Sequence, residues 1–148
     1  MPVDPGLILV ASLLRRGGSL NGLSSALTVL ALALGFYGVL MASATLAFSL
    51  SMALLVLLGL AQKFYAMRVA LDADLFAAMA NAGDALPEKT RQLDDALATY
   101  AGVPADKAGR SWSERSRGAL ALLRRQALLC AAQWLIALLC LITLTFQS

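Results

Sequence analysis

The chain has 148 residues, of which 59% are hydrophobic and 14% are charged, and its net charge is +3. An average soluble domain is about 45–50% apolar and about 25% charged, so this composition excludes an ordinary soluble domain. The sequence contains no histidine, which removes the commonest general base and the commonest transition-metal ligand. It also lacks zinc-finger spacing, a basic DNA-binding helix and an aromatic stacking pattern, so we expect no nucleic-acid partner.

Charged residues are confined to blocks of the chain. Residues 17–62 and 126–148 contain no Asp, Glu, Lys or Arg. Because about 20 apolar residues cross a bilayer as a helix, the first block holds two spans and the second holds one. We place the spans at about 22–42, 46–66 and 126–146, with a turn near Met41–Thr45. The sequence therefore predicts an all-α integral membrane protein with three transmembrane helices, a hairpin plus one, in a lipid bilayer.

The N-terminal segment, residues 1–20, precedes the hairpin at 21–66. Residues 5–14 are apolar but too short to span, and they predict a helix lying along the membrane surface. We expect Gly17 and Gly18 to break this helix, and Ser19 or Asn21 to cap the first span.

Basic residues flank the spans on one side only. By the positive-inside rule, this bias places the N-terminus and residues 63–125 in the cytoplasm and the C-terminus outside or in the periplasm. Abundant Ala and Leu, with Arg well above Lys, indicates a GC-rich bacterial genome, so we expect the bacterial inner membrane. The predicted membrane-anchoring residues are Arg15, Arg16, Lys63, Arg124 and Arg125.

The same arginine pair has a competing interpretation. Arg15-Arg16, an apolar run and then Ala42-Ser43-Ala44 together fit a cleavable secretory signal. Cleavage there would leave a second hydrophobic span at the new N-terminus. We therefore favour the interpretation that the arginine pair orients the first span in the membrane.

Two features of the spans predict helix packing. Ala31, Gly35, Gly38 and Ala42 fall on one face of the first span, and small residues at such spacing let helix backbones approach closely in lipid. This face favours contact with the second span of the same chain or with another protomer. Gln133, in the third span, is expected to hydrogen-bond to a neighbouring helix, with the lining of a polar path as the alternative.

The segment 67–125 predicts three helical stretches. The second span continues to about Gly83, and a separate helix runs from Pro87 to Gly102. The last helix begins at Ser111, where Ser111-Trp112-Ser113-Glu114 has the spacing of a capping box. No strong helix breaker follows, so this helix should run unbroken through 126–148.

Apolar side chains of this middle segment are candidates for docking a partner. A segment of about 60 residues is marginal as an independent core, so we expect completion by a homo-oligomer or a larger membrane complex. The predicted partner-docking residues are Leu71, Leu75, Leu93, Leu97 and Tyr100.

Catalytic signals are missing from the sequence. The blocks 17–62 and 126–148 contain no charged residue, and Lys63 lies only at the end of the second span, which argues against a proton-coupled transporter. No nucleophile elbow, phosphate loop or zinc motif occurs, so we expect no enzymatic activity, no cofactor and no metal. The favoured hypothesis is a non-enzymatic bacterial inner-membrane subunit that assembles with other membrane proteins or with itself. The alternatives are an oligomeric pore-forming effector or holin-like protein, and a small auxiliary subunit of a transporter.

Overall fold

A computed structural model of the chain describes residues 4–42, 45–101 and 110–147, and all regular structure among them is helical. The helices are α1 Pro5–Arg15, α2 Gly17–Leu40, α3 Leu46–Ala80, a one-turn 3-10 helix Gly83–Ala85, α4 Leu86–Ala101 and α5 Trp112–Gln147. The predicted turn lies between α2 and α3, although residues 43 and 44 are outside the described part. The predicted end of α4 at Gly102 is also outside it.

Three stretches are long and apolar enough to cross a membrane. They are Pro5–Leu40, which comprises α1 and α2, then Leu46–Ala80, and Trp112–Thr143 within α5. The all-helical prediction with three such helices is therefore confirmed, and it is compatible with a multi-pass membrane protein.

The long helices form an up-down-up bundle. Asp4 donates its backbone N–H to the carbonyl of Ala80 at 3.3 Å, and Gly17 lies against Val69 farther along. The helices α1 and α2 therefore follow one another antiparallel to α3 over its whole length. On α5, Gln126 contacts Gly17, and Gln133 contacts residues later in α2, so α5 runs parallel to α2.

A single heptad pattern determines which side of α3 is buried. The buried residues follow one another at alternating intervals of three and four, the spacing of a coiled-coil seam. They are Met52, Leu55, Gly59, Gln62, Ala66, Val69, Ala73, Phe76 and Ala80. Leu71 and Leu75, which were predicted to dock a partner, lie on a neighbouring face of the same helix.

The first helix is part of the bundle. Asp4 caps it by accepting from the backbone N–H groups of Gly6 at 2.8 Å and Leu7 at 3.3 Å. Its apolar side, with Ala11 and Leu14, is buried against α3 and α5. The apolar side of α1, from which a helix along the membrane surface was predicted, is thus covered by the chain itself. The location of α1 at the membrane surface stays a prediction.

The junction between α1 and α2 differs from the expectation. Arg16 keeps a helical conformation, with φ −64° and ψ −20°, and α2 begins at Gly17 without a side-chain cap. The predicted caps, Ser19 and Asn21, therefore lie inside α2, and that prediction was wrong. The chain is therefore almost continuously helical from α1 into α2.

We call the end of the bundle formed by residues 5–15, 69–80 and 112–123 the stem. Its core contains Leu7, Ala11, Leu14, Val69, Ala73, Phe76, Ala80 and Ala119. The ring of Trp112 packs edge-on against Phe76, with centroids 5.4 Å apart. The stem core is thus completed by α1 of the same chain.

The short helix α4 is tied to the beginning of α5 by polar contacts. Trp112 donates its indole N–H to Thr90 Oγ1 at 3.1 Å. Arg115 and Asp94 form a largely buried ion pair at 2.6 Å. These two contacts fix α4 to the side of the stem.

The predicted capping box at the start of α5 is confirmed. The Ser111 backbone N–H donates to Glu114 Oε2 at 3.0 Å, and the Glu114 N–H donates to Ser111 Oγ at 3.3 Å. The helix runs from Trp112 to Gln147, a length of 36 residues, as predicted from the absence of a strong helix breaker.

Candidate functional site

The three long helices come into close contact at Gly17. Gln126 donates its side-chain Nε2–H to the carbonyl oxygen of Gly17 at 2.7 Å. A Cβ added at residue 17 would lie 2.9 Å from Gln126 Oε1 and 3.0 Å from Val69 Cγ1, so this contact requires glycine. The contact fixes the relative height of the three helices.

Five arginines lie at this same height, and we call their position the arginine level. Since Gly17, Val69 and Gln126 are in contact, their neighbours along the chain must share one layer of the bundle. All five side chains are exposed. They are Arg15, Arg16, Arg68, Arg124 and Arg125.

The arginine level divides the bundle into two parts. On one side lie the stem and α4, which carry most of the charged residues. On the other side the 24 residues of α2 extend for about 36 Å at 1.5 Å per residue. We call this part the span region. Its length matches the roughly 30 Å hydrocarbon thickness of a bilayer plus its interface.

Gln133 is the centre of a hydrogen-bond network inside the span region. It is fully buried and accepts from Ser24 Oγ at 2.5 Å. Its Nε2 group donates to Thr28 Oγ1 at 2.9 Å and to the carbonyl of Leu55 at 3.0 Å. One amide therefore joins α5 to both α2 and α3.

The helices can approach closely around Gln133 because residue 59 is a glycine. This glycine was not predicted as a packing residue. A Cβ at this position would overlap Thr28 Oγ1 and lie 2.9 Å from Gln133 Nε2. A single glycine in an apolar helix does not indicate whether it lies on the buried or the exposed face of that helix. The signal that would have found it is its place in the heptad row with Leu55 and Gln62.

Two further glutamines are buried between the helices. Gln62 is 1% exposed, and neither of its amide atoms has a protein hydrogen-bond partner; Gln126 Oε1 also lacks one. A buried polar group without a partner costs about 1–3 kcal/mol. Neither residue stands out in the sequence, because both lie at the ends of the charge-free blocks and resemble ordinary boundary residues.

We call the buried and half-buried polar side chains between the helices the polar seam. Its members are Ser24, Thr28, Gln62, Gln126 and Gln133. Amides and hydroxyls donate and accept hydrogen bonds, but they do not titrate near neutral pH. The seam is therefore suited to fixing the register of the three helices and not to moving protons.

The predicted helix-packing face of α2 is only partly in contact with α3. Ala31 and Gly38 are buried, and Ala31 packs with Met52. A Cβ at Gly35 would lie 3.4 Å from the Cβ of Met52, which is ordinary contact, and Gly35 lines an apolar crevice of about 440 Å³ between the two helices. Ala42 lies beyond the end of α2, exposed and with φ 51°, so it belongs to the turn.

The predicted partner-docking residues differ in how far they are exposed. Leu71 is 70% exposed on α3 and Tyr100 is 89% exposed on α4. Leu75, Leu93 and Leu97 are half-buried, and none of the five belongs to the stem core.

Lys63 differs from the other predicted anchoring residues. Arg15, Arg16, Arg124 and Arg125 lie at the arginine level, whereas Lys63 lies farther into the span region. Its Nζ donates to Ser25 Oγ at 2.8 Å and to Asn21 Oδ1 at 3.2 Å.

Acidic groups outside the span region have shifted pKa values. Partial burial raises the pKa of Asp72 in the stem, and the nearby Arg68 opposes this shift. Hydrogen bonds from the Ser111 backbone and hydroxyl lower the pKa of Glu114. Within the described ranges, no three His, Cys, Asp or Glu residues are grouped so that they could hold a metal ion.

In comparisons with known proteins, no family model, no curated protein and no solved structure matches this chain.

Proposed function

We propose that the chain is a non-enzymatic subunit of a bacterial inner membrane that assembles with other membrane proteins or with itself. In this proposal α2, the first part of α3 and the second part of α5 cross the bilayer. The N-terminus and the stem lie in the cytoplasm, and the C-terminus lies on the far side. The gathering of arginines from all three helices at one level supports this orientation.

The observation that carries the proposal is a second apolar row on α3. Leu57, Leu60, Phe64, Met67 and Leu71 repeat at intervals of three and four, and each is at least half exposed. This outer row has the same heptad spacing as the buried row. It therefore offers a seam for a helix of another chain.

Lipid does not account for the whole outer row. Its first residues lie in the span region, where acyl chains would cover them. Met67 and Leu71 lie on either side of Arg68, at and beyond the arginine level, where water replaces hydrocarbon. Exposed apolar rows that continue into water mark interaction surfaces.

Leu71→Glu tests the proposal. Since Leu71 is 70% exposed, the charge should leave the bundle folded while disrupting a contact along the outer row. The matched control is Leu9→Glu, because Leu9 is 60% exposed on the α1 side of the stem. Each variant is purified from its native membrane in a gentle detergent, and the mass and composition of the intact complex are measured.

We expect the wild type and Leu9→Glu to co-purify with a stoichiometric partner or as an oligomer, and Leu71→Glu to lose most of it. A wild type that is monomeric and alone, or a Leu71→Glu variant that keeps its partner, would contradict the proposal. If the wild type is a homo-oligomer, conductance across planar bilayers distinguishes a structural assembly from a pore.

A further inference from the structure

Lys63 is the basic residue set farthest into the span region. It precedes Arg68 by five residues on α3, which places it about 7 Å from the arginine level toward the charge-free end. It follows Gln62 directly, at the end of the first charge-free block. An ammonium group at this depth lies close to the boundary between headgroups and hydrocarbon.

The hydrogen-bond partners of Lys63 carry no charge. Its Nζ contacts the hydroxyl of Ser25 at 2.8 Å and the amide oxygen of Asn21 at 3.2 Å. The two ion pairs in the described part of the chain, Arg91 with Glu88 and Arg115 with Asp94, lie outside the span region. Neutral groups therefore position the ammonium group of Lys63, and no carboxylate in the described part of the chain forms an ion pair with it.

Space for an anion exists beside this lysine. Gly18 and Gly22 share one face of α2 with Asn21 and Ser25, because the intervals between them are three and four residues. A Cβ added at either glycine meets nothing within 4 Å, so this face is open. A headgroup can therefore approach the α2 backbone next to the ammonium group.

We propose that Lys63, Asn21 and Ser25 form a site for the phosphate of an anionic phospholipid in the leaflet on the stem side. Lys63 supplies the charge, and the Asn21 amide N–H and the Ser25 hydroxyl donate to the phosphate oxygens. Charge-assisted hydrogen bonds of this kind are about twice as strong as neutral ones. The inference rests on the proposed membrane insertion and adds a ligand class to it.

Lipid binding is measured by native mass spectrometry of the full chain released from detergent, with phosphatidylglycerol or phosphatidylcholine added at equal concentration. We expect the wild type to retain phosphatidylglycerol in preference, and Lys63→Gln to reduce its occupancy at least fivefold. The matched control is Lys89→Gln on α4, which removes one exposed lysine outside the span region and should leave occupancy unchanged. Lys63→Arg should keep most of the binding.

Several outcomes would overturn the site. Equal occupancy in Lys63→Gln and the wild type would do so, as would equal retention of the two lipids. Displacement of the lipid by millimolar inorganic phosphate would identify a site for the free ion instead of a lipid. Flotation of the chain with vesicles tests membrane insertion separately, so a chain that inserts and shows no lipid preference refutes this inference alone.

Discussion

The stem and the span region are built on the same heptad spacing, yet different side chains fill it. In the stem the inward positions hold Leu14, Phe76 and Ala73, together with the ring of Trp112. From the arginine level into the span region they hold three glutamines, two hydroxyl side chains and Gly59. Helices in water gain by removing apolar surface from it, whereas helices in lipid gain by close backbone contact and hydrogen bonds.

The contrast predicts that the two regions fail for different reasons. A cavity should be the most damaging change in the stem. Phe76 is almost fully buried, so Phe76→Ala should lower the free energy of unfolding by about 4 kcal/mol. The control is Phe36→Ala in the span region, where the ring is exposed. Thermal unfolding in bicelles, followed by circular dichroism, measures the stability of both variants. Equal losses would contradict the predicted difference between the stem and the span region.

In the span region, added volume at a close contact should be the most damaging change. Gly59→Ala places a methyl group where Thr28 Oγ1 now lies, and we expect a loss of about 2 kcal/mol through overpacking. Gly118→Ala is the matched control, because an added Cβ there meets nothing within 4 Å. It should raise stability by up to about 1 kcal/mol through helix propensity. A gain for both variants would show that the helices separate easily at Gly59.

The polar seam permits an internal comparison of two glutamines. Gln133→Leu removes hydrogen bonds to Ser24, Thr28 and Leu55, so the free energy of unfolding should fall by about 2 kcal/mol. Gln62→Leu removes an amide without a protein partner, and it should raise that free energy by about 1 kcal/mol. Steric trapping or denaturant titration in bicelles measures both. A loss of stability in Gln62→Leu would show that this amide has a partner in the membrane.

Much of the fold could be predicted from the sequence, because charge and hydropathy report directly on lipid and water. The charge-free blocks predicted three helices that are long and apolar enough to cross a membrane, and the Ser111–Glu114 spacing predicted the start of α5. The side of α3 that is buried could not be chosen in this way. Two apolar rows at heptad spacing run along that helix, and composition does not say which one faces α1. The glutamines escaped notice because an amide at a span boundary and one at a helix contact look alike in sequence.

The smallest predicted effect concerns pH and lies in the stem. Since partial burial raises the pKa of Asp72 above its usual 3.8, the folded chain holds this proton more tightly than the unfolded chain. Its contribution to stability therefore falls as pH rises from below 3.8 through the raised pKa. Asp72→Asn should melt higher than the wild type at pH 7, and the difference should narrow toward pH 4. Exposed Asp74→Asn controls for the loss of a charge, and a difference that is independent of pH would contradict the burial argument.

The unbroken course of α3 has a mechanical consequence. Its 35 residues form one continuous helix of about 52 Å that runs from the stem to the far end of the span region. A tilt of about 5° imposed at the stem end would displace the opposite end by about 4–5 Å on a rod of this length. A tilt applied at the stem can therefore be transmitted along the whole of α3 to its Leu46 end.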